Sequence, residues 1–254
     1  MTDNKMRTEI LNIDKGQCLT DVLPAIPANT IFDKTITGCG ATHSEIVNAA
    51  RHSIIIEPNI PVILGKKAEH PFLFAVYEGI TKEDVKAYLA GEHDGYRKII
   101  TTPEGFDKKV LPAMHELEIP VYKDYFLLFD ECEKAIQDVG YRGDIYLPVE
   151  DFFKFENKAM VSATPIVPSD PRFEENGFKI LKLVPTYDSR IELTLCTTNN
   201  TVAVMRKLLK RLENETVCVF LNSTETILSL IYALRLQGRS RVFCSEKSVR
   251  KLKQ

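Results

Sequence analysis

No C-x-x-C pair occurs in the chain, and none of the six cysteines, Cys18, Cys39, Cys132, Cys196, Cys218 and Cys244, stands at metal-ligand spacing from the five histidines. That argues against a structural zinc site, which needs clustered ligands. The cysteines are expected to be free, buried thiols in a reducing compartment. No apolar stretch approaches the roughly eighteen residues that cross a membrane, and the opening MTDNKMRTEILNIDKG lacks the apolar segment of a secretory leader. A cytoplasmic location is expected. Low-complexity linkers are missing too, because the 13 Pro and 12 Gly are dispersed. What is present, 44% apolar and 27% charged residues in 254, is an ordinary globular composition long enough for one large domain or two small ones.

Charge is unevenly spread. Residues 201–254 hold eleven Lys or Arg against four Glu, a net +7, which leaves −9 for the remainder of a chain whose overall charge is −2. A basic end suits contact with a polyanion, and a solvated helix face would give the same count.

Short β-branched or aromatic runs alternate with amphipathic stretches. TIFDKTIT, SIIIE, FLFAVY, RKIITT, YFLLFD, KAMVSA, FKILKLV, VCVFLN and RVFC read as strands. Helical spacing of apolar residues predicts helices over His43 to Arg51, Lys82 to Ala90, Pro103 to Leu117, Glu131 to Val139, Val202 to Leu212 and Thr224 to Leu236. Strands buried on both faces and separated by helices imply an α/β fold, a parallel sheet flanked by helices. Ligands in such folds bind beyond the C-terminal strand ends.

Four segments follow strand-like runs. Thr37-Gly38-Cys39-Gly40-Ala41-Thr42 is a glycine turn whose backbone N–H groups can converge on phosphate, with the Thr42 hydroxyl placed as a magnesium ligand. Asp130-Glu131-Cys132-Glu133 pairs one acid suited to magnesium with another suited to orienting water, and would equally serve as an acidic helix start. Thr102-Pro103-Glu104-Gly105 puts proline at a first helical position, and Ser162-Ala163-Thr164-Pro165 sets two small hydroxyl residues at a strand end.

In this order, TGCGAT, TPEG, DECE and SATP resemble the motif set of superfamily 2 helicases of the DEAD/DEAH-box type, over about Ile31 to Ile166. The resemblance implies a RecA-like P-loop NTPase fold over residues 1–190 and the start of a second RecA-like domain over 191–254. It implies ATP and Mg2+ as cofactors, with Thr37, Gly38, Cys39, Gly40, Ala41 and Thr42 forming the phosphate loop and Thr42 and Asp130 holding the metal. Asp130 and Glu131 become the catalytic pair. Ile54-Ile55-Ile56-Glu57-Pro58 resembles a further motif strand, Thr102 and Pro103 a segment that grips nucleic-acid backbone, and Ser162, Ala163 and Thr164 the element linking hydrolysis to nucleic-acid binding. DNA or RNA is the implied partner, with a possible second chain completing the second domain.

Two departures stand out. Val217 to Thr226 resembles the opening of a second RecA-like domain, yet the arginine motif of that domain is missing, so a truncated helicase core is expected. Ala41 occupies the position of the phosphate-loop lysine. Lys34 and His43 are conceivable substitutes, but a strand rises about 3.3 Å per residue, which would carry Lys34 far upstream. Lys34 is therefore read as an ordinary strand-end lysine and His43 as an exposed first-turn histidine.

The expected function is ATP-dependent unwinding or translocation of nucleic acid. The alternatives are a catalytically inactive module that binds nucleic acid or nucleotide, and a metabolic α/β enzyme.

Overall fold

The computed structural model describes residues 6–133, 149–165, 170–190, 192–211, 215–221 and 223–244. Contacts divide the chain into two compact units, Met1–Arg190 and Ile191–Gln254.

Among the described residues the first unit has eight strands: β1 Thr8–Ile13, β2 Thr30–Asp33, β3 His52–Ile56, β4 Phe74–Val76, β5 Lys98–Thr101, β6 Tyr125–Asp130, β7 Asn157–Ser162 and β8 Lys179–Pro185. They form one sheet in the order β1-β8-β2-β7-β6-β3-β5-β4, and every pairing is parallel. Successive side chains of a strand point to opposite faces, and here both faces are apolar. Ile54, Ile56, Leu127 and Phe129 enter one core layer, while Ile55, Phe126 and Leu128 enter the other. This is why the central strands read as unbroken apolar runs rather than alternating ones.

Helices close both layers. Leu19 of α1 (Leu19–Val22), Ala41 and Ile46 of α2 (Ala41–Val47) and Ile63 of α3 (Ile60–Glu69) belong to the layer of Ile55. Val85 and Leu89 of α4 (Lys82–Ala90) belong to the layer of Ile54, as do Phe106, Val110, Leu111 and Met114. Those four lie on a continuous helical run: α5 (Pro103–Gly105), a π-helical turn (Phe106–Val110) and α6 (Leu111–Glu116). A short α7 (Val121–Asp124) leads into β6.

The predicted strand YFLLFD and helix Lys82 to Ala90 coincide with β6 and α4. Several elements were not anticipated, β1, α1, α3 and α7 among them. β1 is an edge strand whose burial alternates, and α3 has Pro61 near its start, where the missing N–H is harmless. Of the predicted helix over 131–139, residues 134–139 lie outside the described residues, as do Ile166, Leu212 and Asn222.

The second unit contains the helices Thr201–Arg211 and Thr224–Ala233. The strands expected at VCVFLN and RVFC are not formed over 217–221 and 241–244. A strand is held by ladder bonds to a neighbour, and neither segment pairs with one among the described residues. Phe220 and Phe243 are correspondingly exposed.

Candidate functional site

Because all eight strands run the same way, their C-terminal ends share one edge. Asp33 lies opposite Ser162, Asp130 opposite Val161, and Ile56 opposite both Phe129 and Thr101. TGCGAT, Glu57-Pro58, TPEG, DECE and SATP therefore all emerge on that edge.

Gly38 and Gly40 hold left-handed φ angles of 75° and 87°. A Cβ at either would meet nothing within 4 Å, so backbone conformation rather than space requires glycine there. The α2 helix opens directly after Gly40, whose carbonyl accepts the Ser44 N–H at 2.8 Å. Cys39 and Ala41 turn inward to the core, each 4% exposed, while Thr37 and Gly38 are exposed. The Leu19 N–H donates to the Cys39 carbonyl at 2.8 Å, tying the loop down to α1.

Asp130, at the end of β6, is the hub. One carboxylate oxygen, Oδ2, accepts a hydrogen bond from the Thr42 hydroxyl, and the other, Oδ1, lies 3.3 Å from Lys34 Nζ. The same ammonium donates to Glu131 Oε1 at 2.7 Å. Lys34 is only 8% exposed. Burial alone would lower its pKa, but the charges of Asp130 and Glu131 and their hydrogen bonds outweigh that and hold the ammonium well above the ordinary lysine value. An ordinary strand-end lysine does not describe this residue.

The expectation failed because the chain does not stay extended after β2. Thr35 adopts a φ of 42°, its hydroxyl donates to the Leu183 carbonyl of β8, and the Ile36 N–H turns back to the Lys34 carbonyl. Glu131 makes a matching break after β6, with φ 53° and its N–H donating to Asp130 Oδ1 at 3.0 Å. Left-handed non-glycine residues each cost on the order of 1–3 kcal/mol and concentrate where function needs them.

Glu57 was assigned no separate role from sequence, yet it is 1% exposed beside this cluster. Burial, reinforced by the charge of Asp130, pushes its carboxyl up to about 7, against hydrogen bonds from the Asn59 backbone and side chain, each 2.8 Å. Its N–H donates to the Thr101 carbonyl at 2.9 Å. The clue in the sequence is a carboxylate directly following the apolar run SIII.

Thr102 accepts the Gly105 N–H at 3.1 Å and caps the helical run, with Thr102, Pro103 and Gly105 buried and Glu104 half-buried. Gly105 is small of necessity, since an added Cβ would approach Thr101 Oγ1 to 2.5 Å. Ser162 is buried and accepts the Thr164 N–H at 2.9 Å, while Ala163 is half-buried and Thr164 exposed. Burial raises the Glu133 pKa and a hydrogen bond with Ser162 opposes it, so DECE and SATP are in contact. His43 is half-buried rather than exposed, with Nδ1 3.2 Å from His70 Nε2.

The six cysteines are free, as expected, but only Cys39 and Cys132 are buried; Cys18, Cys196 and Cys218 are exposed and Cys244 is half-buried. No described helix is long and apolar enough to cross a membrane.

The Thr42 hydroxyl and Asp130 carboxylate are hard oxygen donors of the type magnesium takes. Among the described residues no group of three or more His, Cys, Asp or Glu forms a metal cage. A metal at Thr42 and Asp130 would draw its other ligands from water and phosphate.

No protein-family model matches the chain, and no curated protein does. Among solved structures it is similar to the DUF1998 helicase MrfA, with a TM-score of 0.55 at 14% identity over 89% of this chain and 39% of that one. It is also similar to the Hef helicase domain of Pyrococcus furiosus, with a TM-score of 0.40 at 12% identity over 93% of this chain and 51% of that one. The UvsW helicase from bacteriophage T4 matches with a TM-score of 0.35 at 12% identity over 61% of this chain and 54% of that one. The chain thus spans roughly two fifths to half of these solved chains. The first likeness bears on the fold, which is helicase-like; the other two are too distant to add to it.

Proposed function

We propose that this chain binds a magnesium–nucleoside triphosphate, ATP, at the C-terminal edge of the sheet and hydrolyses it in step with nucleic-acid binding. The observation that carries the reading is the contact between Thr42 and Asp130, residues 88 apart in sequence, with Glu131 beside them. A hydroxyl at the start of a helix and an acid ending a buried strand are joined here across the fold, and together they match the donor pair that would hold magnesium on a phosphate chain. The metal, when bound, neutralises charge on phosphate oxygens.

The chain's own groups would divide the remaining work. Asp130 and Thr42 hold the metal, and Glu131 orients the attacking water. Thr37, Gly38, Cys39 and Gly40 present backbone to the phosphates, with Ala41 contributing only its main chain. Ser162, through its contact with Glu133, connects the DECE segment to Ala163 and Thr164. Together with Thr102 and Pro103 these are the proposed link to DNA or RNA. Residues 191–254 would be the beginning of a second RecA-like domain, completed by further sequence or by a partner chain, and a cytoplasmic setting suits the free thiols.

One observation favours a second reading, a module that binds nucleotide or nucleic acid without turnover: Ala41 is buried and offers no side-chain donor. Phosphate release from ATP with magnesium, with and without single-stranded DNA or RNA, separates the two. Nucleic-acid-stimulated release lost in Asp130→Asn supports hydrolysis. Binding without release supports the second reading, and neither binding nor release would sink both.

A further inference from the structure

Resting on the nucleotide reading above, we infer that Lys34 is the phosphate-contacting cation of this site, so that the charge missing at Ala41 enters from the residue directly after β2. The ligand it would take is the terminal part of a nucleoside triphosphate.

Four observations converge. First, the Lys34 ammonium is bonded to Asp130 on the oxygen opposite to the one that accepts from Thr42, so a single carboxylate separates the cation from the proposed metal position. Second, the side chain is withdrawn from water although it starts at the sheet edge. Holding an ammonium there costs solvation that an ordinary surface lysine avoids. Third, the chain turns left-handed at Thr35, directly after Lys34, so the loop that follows folds back instead of running on from β2. That turn is pinned by the Leu183 carbonyl, 148 residues away, so local sequence preference does not account for it. Fourth, Ala41 packs inward with Cys39, in the core layer that contains Ile55, leaving the edge itself to Thr42 and Lys34.

The charge balance points the same way. Asp130 and Glu131 present two carboxylates to one ammonium, which has three N–H donors and spends two on them. Once Asp130 is engaged by a metal, Lys34 keeps Glu131 as its partner and has donors left for a phosphate oxygen. Lysine serves that purpose as a point charge and needs no fixed planar geometry. Its origin just after β2 rather than on the helix therefore need not impair the contact.

The rival explanation is that Lys34 only neutralises Glu131. Equilibrium binding of ribose-labelled fluorescent ATP and AMP, with magnesium, to the full 254-residue chain discriminates between them. Lys34→Met is compared with the parent in two backgrounds, unaltered and Glu131→Gln, with circular dichroism to establish folding. The expected result is a loss of ATP affinity of roughly tenfold to a hundredfold in both backgrounds, with AMP affinity held to within about twofold. If the single variant does not fold, the comparison within the Glu131→Gln background decides, because the charge that Lys34 balances at Glu131 is already removed there. Unchanged ATP affinity in folded Lys34→Met would overturn the inference, and so would a loss that disappears when Glu131 is Gln. Failure of the unaltered chain to bind ATP would instead overturn the nucleotide reading itself.

Discussion

Lys34 and Glu131 meet at 2.7 Å across the C-terminal edge of the sheet, although 97 residues separate them and the whole of β7 lies between their strands. A left-handed residue stands at each side of the pair, Thr35 directly after Lys34 and Glu131 itself after β6. The pair sets a buried cation beside Asp130 and Glu131 at the end of β6.

Asp130→Asn is expected to leave the fold intact while lowering magnesium-dependent ATP hydrolysis by about a hundredfold to a thousandfold, the usual effect of removing one charged participant. Amide replaces carboxylate without changing shape, so Thr42 keeps a hydrogen-bonding partner. Phosphate release and a far-ultraviolet spectrum measured on the same sample check both halves of the expectation. A normal rate in the folded variant would remove Asp130 from the mechanism.

Glu57 makes stability depend on pH in a defined window. Its folded pKa, about 7, lies above the ordinary 4.5, so the folded state holds the proton more tightly than the unfolded one. The contribution is fully present below about pH 4.5 and is lost as pH rises through 7, a change of about 3 kcal/mol for a shift of this size. Glu57→Gln is expected to flatten that part of the profile. Denaturation midpoints at pH 5 and 8 would show it; parallel profiles for variant and parent would refute it.

Beneath the loop, Glu45 is fully buried and gathers Arg51 Nε at 3.1 Å, the Ser53 hydroxyl and Lys98 Nζ at 3.5 Å. Burial already lowers the Lys98 pKa to about 8, with Glu45 opposing the shift. Glu45→Gln would leave two cations without their carboxylate, so a destabilisation of about 3–5 kcal/mol is expected. Urea unfolding measures it, and a loss below about 1 kcal/mol would show that the cluster is not held by its charges.

Thiol reactivity should divide the cysteines. Burial, together with the charges of Glu133 and Asp130, pushes the Cys132 thiol up to about 12, and burial raises Cys39 as well. Only the thiolate reacts. Brief alkylation of the folded chain followed by peptide mass spectrometry is expected to mark Cys18, Cys196 and Cys218, and to reach Cys39 and Cys132 only after denaturation. Rapid native labelling of Cys132 would contradict the packing described.

Much of the architecture was legible because it rests on local pattern. The runs Phe126 to Phe129 and Ile54 to Ile56 are apolar at every position because both faces of a covered parallel sheet are dry, and Thr81 with Asp84 marks the start of α4 through a capping box. β1 escaped notice because an edge strand half-exposed to water carries a weaker pattern. The strands expected after Arg211 are not formed over 217–221 and 241–244, where no neighbour pairs with them among the described residues, because pairing, not apolar character, makes a strand.

The sequence by itself determined the parallel α/β arrangement and the order in which TGCGAT, TPEG, DECE and SATP follow their strands, since apolar period and glycine turns act over a few residues. Only the tertiary structure decided which groups meet on the shared edge. The Thr35 turn needs a carbonyl from β8, the Lys34 ammonium needs acids from β6, and the raised Glu57 pKa needs burial beside Asp130. Those are interactions across the sheet, whose energies depend on distance and on exclusion of water, and neither is a property of any short stretch of chain.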